Sequence, residues 1–172
     1  MASGHFIEEY ALTLTTISGL PAHVLLVHAL VVLAPLTALL EILCALWPAA
    51  RRRLVWLVLG FAAVTTALTP VTVNAGGWLY DRERHHSDIL NTHAERAGWM
   101  IYISVAMLVV AVALALVHWR EGRSAKPGIG VNLAVAVLAI AVGAASIVQV
   151  VRIGDAGARS VWGNELTKSD KP

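Results

Sequence analysis

The sequence contains little charge and almost no cysteine, and these shortages exclude several classes of protein. Charged residues make up 14% of the 172 residues, hydrophobic residues make up 58%, and the mean hydropathy is +0.70. Because so little polar surface cannot cover a soluble globule of this size, the composition indicates a membrane protein. Cys44 is the single cysteine, which excludes an intrachain disulfide bond. A net charge of +2 without a basic stripe argues against a nucleic-acid partner.

The motifs that commonly identify an enzyme or a transporter are also missing. The sequence has no P-loop, no GxGxxG, no HExxH and no nucleophile with a base at a recognisable spacing, so enzymatic activity stays uncertain. No repeated halves stand out, which gives a transporter little support. Residues 1–20 lack a basic region ahead of an apolar core, so they are predicted to form an extracytoplasmic segment rather than a signal peptide.

Four long apolar stretches dominate the rest of the chain, at residues 24–47, 54–75, 99–119 and 130–153. Each can cross a hydrocarbon layer of about 30 Å at a helical rise of about 1.5 Å per residue. Alternation typical of strands is absent. The sequence therefore predicts an all-α integral membrane protein, with a four-helix transmembrane bundle over residues 21–155 and an extracytoplasmic tail over residues 156–172.

The distribution of basic residues predicts the orientation of this bundle. Arg51, Arg52 and Arg53 follow the first apolar stretch, whereas the first 20 residues contain no Lys or Arg. The positive-inside rule then places the first loop in the cytoplasm and both termini outside, in the inner (plasma) membrane. Basic residues elsewhere are shared almost evenly between the two sides, so the prediction depends on the first helix.

Histidine is concentrated on one side in this orientation. His23 and His93 begin the first and third helices, which run in the same direction, so their imidazoles are expected at similar depth. A helix N-terminus disfavours the charged ring and keeps a nitrogen lone pair available for a metal. Haem b held between helices uses such an arrangement. All histidines except His118 belong to the outer side: His5, His23, His28, His85, His86 and His93.

The ligand set is left open by the sequence. Five residues of helix rotate His28 by about 140° from His23, so the two cannot share one face, and either could pair with His93. Met100 follows His93 on the same face, which makes a His/Met pair with His28 conceivable. The alternative is that these histidines bind neighbouring groups or lipid headgroups, and that Met100 fills the core.

Polar residues near this level could support such a site. Asn74 reaches the outer end of the second helix, and Arg152 and Asp155 belong to a polar stripe on the fourth. The stripe could line the histidine pocket or form interfacial ion pairs, because Asp155 and Arg159 have pairing spacing. Glu41 is expected to reach toward the arginines of the first loop. A relay from Glu41 to the histidines has little support, since Thr37 is the one polar residue between them on that helix.

Two further features each have two interpretations. The loop DRERHHSDILNTHAER contains His85 and His86, which are zinc or copper ligand types. Their spacing is not specific for a metal site, so a solvated loop with balanced charge is the favoured explanation. The fourth helix is rich in Ala and Gly at small-xxx-small spacing. Such spacing allows close helix packing, either inside the chain or against a second copy or another membrane subunit.

Three segments are similar to a known family: HVLLVHALVVLAP, THAER and VRIGDAGARSVWG. They resemble the bacterial membrane proteins grouped as domain of unknown function 2231, from about Gly19 to Gly163. The resemblance implies four helices and, because some members are joined to cytochrome c modules, a respiratory setting. It also implies that His23, His28 and His93 match histidine positions of the family, and that some members have histidine where this chain has Asp155.

Two hypotheses of function follow. The first is a haem b or metal-binding redox subunit of a respiratory complex that transfers electrons through the outer histidines. The second is a non-catalytic accessory or assembly subunit of a larger membrane complex. Under both hypotheses the protein lies in the lipid bilayer, and neither hypothesis includes a nucleic-acid partner.

Overall fold

The computed structural model describes residues 16–17, 20–83, 86–123 and 128–169. Two short strands, β1 (Thr16–Ile17) and β2 (Leu20–Pro21), pair antiparallel just before the first helix. Four helices follow, and each is long and apolar enough to cross a membrane. The predicted all-α, four-helix membrane architecture is confirmed. The helices are α1 (Ala22–Leu46), α2 (Pro48–Tyr80), α3 (Asp88–Gly122) and α4 (Ile129–Ser169).

Local sequence signals fix two of the helix starts. Pro48 occupies the first turn of α2, where its missing N–H costs no hydrogen bond. Ser87 precedes α3, and its hydroxyl accepts a hydrogen bond of 3.2 Å from the backbone N–H of Leu90. Asp88 in the first turn of α3 adds a favourable charge at the positive end of the helix dipole.

The last helix is longer than its apolar stretch. The sequence prediction ended the fourth span at residue 153, where Arg152 and Asp155 interrupt the apolar pattern. The structure continues α4 to Ser169, so most of the predicted 156–172 tail prolongs this helix. Polar side chains end the lipid-compatible part of a helix without ending the helix itself.

Short connections place the four helices in a ring in which α1 contacts α2, α2 contacts α3, α3 contacts α4, and α4 closes against α1. Across the middle, α1 also approaches α3. Consecutive helices run antiparallel, so α1 and α3 begin at the same end of the bundle. We name this the histidine end, because it contains His23 and His93, and we name the opposite end, with Arg51 and Glu121, the arginine end.

The interior is built from small and branched apolar side chains. Gly143 of α4 packs against α1, and a Cβ placed there would lie 2.9 Å from Ile42 Cδ1 and 3.4 Å from the Ala38 carbonyl oxygen. The small-residue spacing of α4 therefore serves packing within the chain at this position. Large apolar side chains cover the outside, as at Val32 and Val151, each 64% exposed. A lipid environment accepts this surface, whereas water would not.

A buried ion pair closes the arginine end. Arg51 is 2% exposed, its Nη2 lies 2.5 Å from Glu121 Oε1, and its Nη1 donates to the Cys44 carbonyl at 3.3 Å. The expectation that Glu41 reaches these arginines is wrong for Arg51, because Glu121 of α3 already binds it. Glu41 lies fully buried, and neither of its carboxyl oxygens has a hydrogen-bond partner among the described residues.

Candidate functional site

His23, the second residue of α1, lies against the backbone of α2. Its Nδ1 is 3.0 Å from the carbonyl oxygen of Thr72. The ring also occupies the space beside Gly76, where a Cβ would lie 2.8 Å from His23 Cε1 and 2.9 Å from Nδ1. Real Cβ atoms essentially never approach that closely, so glycine is required for this position of the ring.

His93 lies against α4 in the same way. Its Nδ1 is 3.1 Å from the carbonyl oxygen of Ile153. A Cβ placed at Gly157 would lie 3.1 Å from His93 Cε1 and 3.2 Å from Nδ1. Both rings are half-buried. Each histidine therefore rests in a cradle formed by a glycine and the carbonyl one turn before it.

The two cradles are repeats of one arrangement, which we call the half-site: a histidine near the start of one helix, and a glycine with a preceding carbonyl on the next helix. The two arrangements repeat at the level of these contacts. The repeat is visible in the sequence as Asn74-Ala75-Gly76 and Asp155-Ala156-Gly157, with both alanines 4% exposed. The length of chain between the histidine and its glycine differs between the two half-sites, so they do not appear as a repeat of fixed period.

The hydrogen bonds define the chemistry of the imidazoles. A carbonyl oxygen accepts and cannot donate, so Nδ1 of both His23 and His93 carries the proton. Nε2 is then free to donate its lone pair, which is the arrangement of most metal-binding histidines. The helices that carry the two histidines, α1 and α3, approach each other across the bundle.

The number of ligands available near His23 and His93 limits which metal or cofactor could bind there. Among residues 16–17, 20–83, 86–123 and 128–169, no three His, Cys, Asp or Glu side chains are placed to hold a metal ion together. Zinc sites need three or four protein ligands. Haem needs two axial ligands, because its porphyrin supplies the remaining nitrogens. Two imidazoles set in glycine cradles therefore supply as many protein ligands as haem needs and fewer than a zinc site needs.

Two other predicted ligands lie apart from the pair. His28 is exposed, and its Nδ1 binds the Val24 carbonyl of its own helix. The structure does not bring His28 to His23 and His93, because the helix turns it to the outside. Met100 is 5% exposed and lies in the interior, below His93 on α3.

The predicted supporting residues lie mainly on the surface. Asn74, Arg152 and Asp155 are all exposed. The pairing expected in the polar stripe is present, since Arg159 Nε donates to Asp155 Oδ1 at 2.9 Å. Arg152 contributes its carbonyl, which accepts a hydrogen bond of 3.0 Å from Arg96 Nη1.

A glutamine one turn before Arg152 fastens α4 to α3. Gln149 is 9% exposed, and its Nε2 donates to the Arg96 carbonyl at 2.7 Å. Arg96 follows His93 by less than one turn. This bond therefore helps to hold the two sides of the second half-site together.

One of the two predicted metal ligands of the second loop, His86, lies in the described part of the chain. His86 stacks on the Tyr80 ring, with centroids 4.0 Å apart, and its Nε2 is 3.0 Å from the Tyr80 carbonyl oxygen. Tyr80 in turn donates to Asn91 at 2.6 Å. His85 lies outside the described residues. A metal at these two histidines stays a prediction.

Comparison with known proteins gives one family. A family model described as "Predicted membrane protein (DUF2231)" matches residues 19–170. No curated protein and no solved structure matches the chain. The family match spans both half-sites and all four helices. Because it covers most of the sequence, the chain belongs to the DUF2231 family of predicted membrane proteins.

Proposed function

We propose that the protein is a membrane electron-transfer subunit that binds one haem b between His23 and His93. The observation that carries the proposal is the repeated half-site, which presents one free Nε2 from α1 and another from α3. Two helices that approach each other across a bundle are a common setting for axial haem ligands.

Each part of the half-site has a role in this function. The carbonyls of Thr72 and Ile153 hold the tautomer that leaves Nε2 unprotonated, and they fix the ring orientation. Gly76 and Gly157 allow the Cε1–Nδ1 edge of each ring to approach the backbone closely. Bound haem b would supply reversible one-electron chemistry, and the protein would supply its orientation and surroundings.

The position of the half-sites suits exchange with a partner outside the membrane. Both lie at the histidine end, near the ends of the long helices rather than at mid-membrane. In the orientation given by Arg51 to Arg53, this end faces the extracytoplasmic side of the plasma membrane. An electron carrier there could approach without crossing the hydrocarbon layer.

An absorption spectrum tests the proposal. The full-length protein is purified in mild detergent from cells supplied with haem, and spectra are recorded oxidised and reduced. We expect a Soret band and about one haem per chain. His23→Ala and His93→Ala should each lose the bound haem, whereas the exposed His28→Ala should keep it. A purified wild-type chain without a Soret band would overturn the proposal.

A second candidate is a subunit that acts by packing against another membrane helix. Ala141 and Ala145 of α4 are exposed and share one face, which is separate from the Gly143 contact with α1. Small side chains on a free face suit close approach of a second copy or another subunit. Ala141→Leu with Ala145→Leu should then break an assembly in mild detergent. The same pair of changes at the exposed Ala63 and Ala67 of α2 should preserve it. A wild-type chain that stays monomeric and purifies alone would exclude this candidate.

A further inference from the structure

Glu41 is an isolated acid inside the bundle. Its side chain has 0% exposure, and both carboxyl oxygens are without a hydrogen-bond partner in the described part of the chain. A carboxylate buried in a hydrocarbon-like interior without a partner is very unfavourable, whereas the neutral acid is tolerated. The geometry therefore places a protonated carboxyl group at this position.

The groups that could compensate a charge on Glu41 are either engaged or absent. On α1, Cys44 is the nearest titratable side chain, and it is also fully buried. Arg51 of α2 is bound to Glu121 of α3. The central part of α2, residues 54–77, and α4 from residue 129 to 151 carry no titratable side chain. On α3, Tyr102 is exposed, and the His118 ring packs edge-on against Trp56 of α2.

Buried hydroxyls lead from Glu41 toward the histidine end. Thr37 lies one turn from Glu41 on the same face of α1 and is fully buried. Ser146 of α4 is also fully buried, and its hydroxyl has no partner among the described residues. It lies one turn beyond Gly143, which contacts Ala38 of α1, so Ser146 and Thr37 are at similar depth.

A second level of buried hydroxyls lies nearer the histidine end. Thr65 of α2 is fully buried and its Oγ1 is likewise unpaired within the described residues. The adjacent Thr66 donates to the Ser104 carbonyl of α3 at 2.9 Å, which brings α2 and α3 together here. Ser104 is itself 1% exposed. Two turns further along α2, the carbonyl of Thr72 binds His23.

The arginine end offers no comparable route. Between Glu41 and that end lie the buried Cys44, Ala45 and Val55 of the apolar core. Beyond them, the Arg51 guanidinium is fixed by Glu121 and the Cys44 carbonyl. This part of the described interior therefore lacks the buried hydroxyl groups that are present in the other direction.

We propose that Glu41 is a proton-binding site that exchanges its proton with the histidine end through the hydroxyl column of Thr37, Ser146, Ser104 and Thr65. A proton joins one carboxylate oxygen and forms the neutral acid, and the reverse step returns it to the column. A metal cation is not the ligand, since it would need several oxygen donors around the carboxylate. This inference does not depend on the haem proposal.

Infrared spectroscopy of the full-length protein in a lipid film tests the protonation of Glu41. We expect the C=O band of a carboxylic acid at neutral pH. Glu41→Gln should remove the band, and Glu95→Gln, which changes an exposed acid of α3, should leave it. If Glu41→Gln does not fold, carbodiimide labelling of the wild-type chain gives the same answer, because carbodiimides react with protonated buried carboxyl groups. A neutral-pH spectrum without the band, or a wild-type chain without an adduct at Glu41, would overturn the proposal.

The exchange of this proton for deuterium tests the route. On transfer to D₂O, the band shift should slow by about fivefold in Ser146→Ala and Thr37→Val, the factor for one lost hydrogen bond of about 1 kcal/mol. Thr92→Val is the matched control for Thr37→Val, since Thr92 also donates to the carbonyl four residues before it but lies near the surface. Cys44→Ala should leave the rate unchanged. A rate that responds to Cys44→Ala and not to Ser146→Ala would place the route at the arginine end and refute the column.

The same samples separate this inference from the proposed haem function. The absorption spectrum of Glu41→Gln should equal that of the wild type, because Glu41 lies far along α1 from His23. A chain without haem that still shows the Glu41 band rejects the haem site alone. A haem-loaded chain without the band rejects the proton site alone.

Discussion

The imidazole of His23 occupies the space that a side chain at Gly76 would need. A Cβ at Gly76 would lie 2.8 Å from the ring, and neither α2 nor the ring can yield without breaking the Thr72 hydrogen bond. The His23 ring is therefore complementary in shape to Gly76, and its hydrogen bond to the Thr72 carbonyl holds it in this place. The half-site around His93 repeats this fit with a little more room.

Gly76→Ala should displace His23 and weaken haem binding. The added methyl group collides with Cε1 and Nδ1 of His23, so the ring must move away from the Thr72 carbonyl. Its Nε2 is then no longer oriented to bind haem. We expect most of the Soret absorbance to be lost while the helical circular dichroism stays. Gly77→Ala is the matched control, because a Cβ there has no neighbour within 4 Å. Its helix should gain up to about 1 kcal/mol. Equal spectra for the two variants would contradict the cradle.

Gly157→Ala should have a weaker effect in the same direction. A Cβ at Gly157 would meet the His93 ring at 3.1 Å, a distance that a small shift of the ring can relieve. We expect partial haem occupancy and a changed reduced spectrum rather than complete loss. Gly154→Ala, one turn earlier on α4 and in open space, should behave as the wild type. A larger loss in Gly157→Ala than in Gly76→Ala would reverse the order expected from these distances.

Gln149→Leu should loosen the contact between α3 and α4. It removes the hydrogen bond of 2.7 Å to the Arg96 carbonyl and should lower the free energy of unfolding by about 1 kcal/mol. Asn74→Leu removes an exposed amide at the same end of the bundle and should change that free energy by less than about 0.5 kcal/mol. Unfolding in detergent mixtures compares the two. If both variants unfold alike, the Gln149 bond contributes nothing to stability.

Much of the fold could be predicted from the sequence, because lipid imposes a simple rule on the chain. Every backbone group must be satisfied within a helix, so an apolar run of about 20 residues is sufficient to identify a span. Helix ends are less constrained. The polar residues Arg152 and Asp155 marked where α4 leaves the apolar layer, but not where the helix stops.

The candidate site could be predicted less fully. The positions of His23 and His93 at two helix starts predict them as site residues. The same reasoning also selects His28, which faces outward. Which of them faces inward depends on helix rotation, and no local pattern fixes it. The sequence alone does not identify Gly76 and Gly157 as site residues, because a glycine in a membrane helix can have many roles. The Ala-Gly pairs after Asn74 and Asp155 do not identify the half-sites either, because Ala97-Gly98 has the same sequence and no histidine against its glycine.

Arg51→Met should be strongly destabilising because it leaves Glu121 beside the buried arginine end without its partner. Arg51 is 2% exposed and bonds both Glu121 and the Cys44 carbonyl, and loss of one member of a buried pair costs about 3–5 kcal/mol. Arg52→Met changes the exposed neighbour and should unfold as the wild type does. The double variant Arg51→Met with Glu121→Leu should recover most of the loss, since no charge is then left unpaired. Thermal unfolding in detergent measures all three. The ion pair does not hold the arginine end together if Arg51→Met unfolds at the same temperature as Arg52→Met. The same conclusion follows if the double variant is no more stable than Arg51→Met.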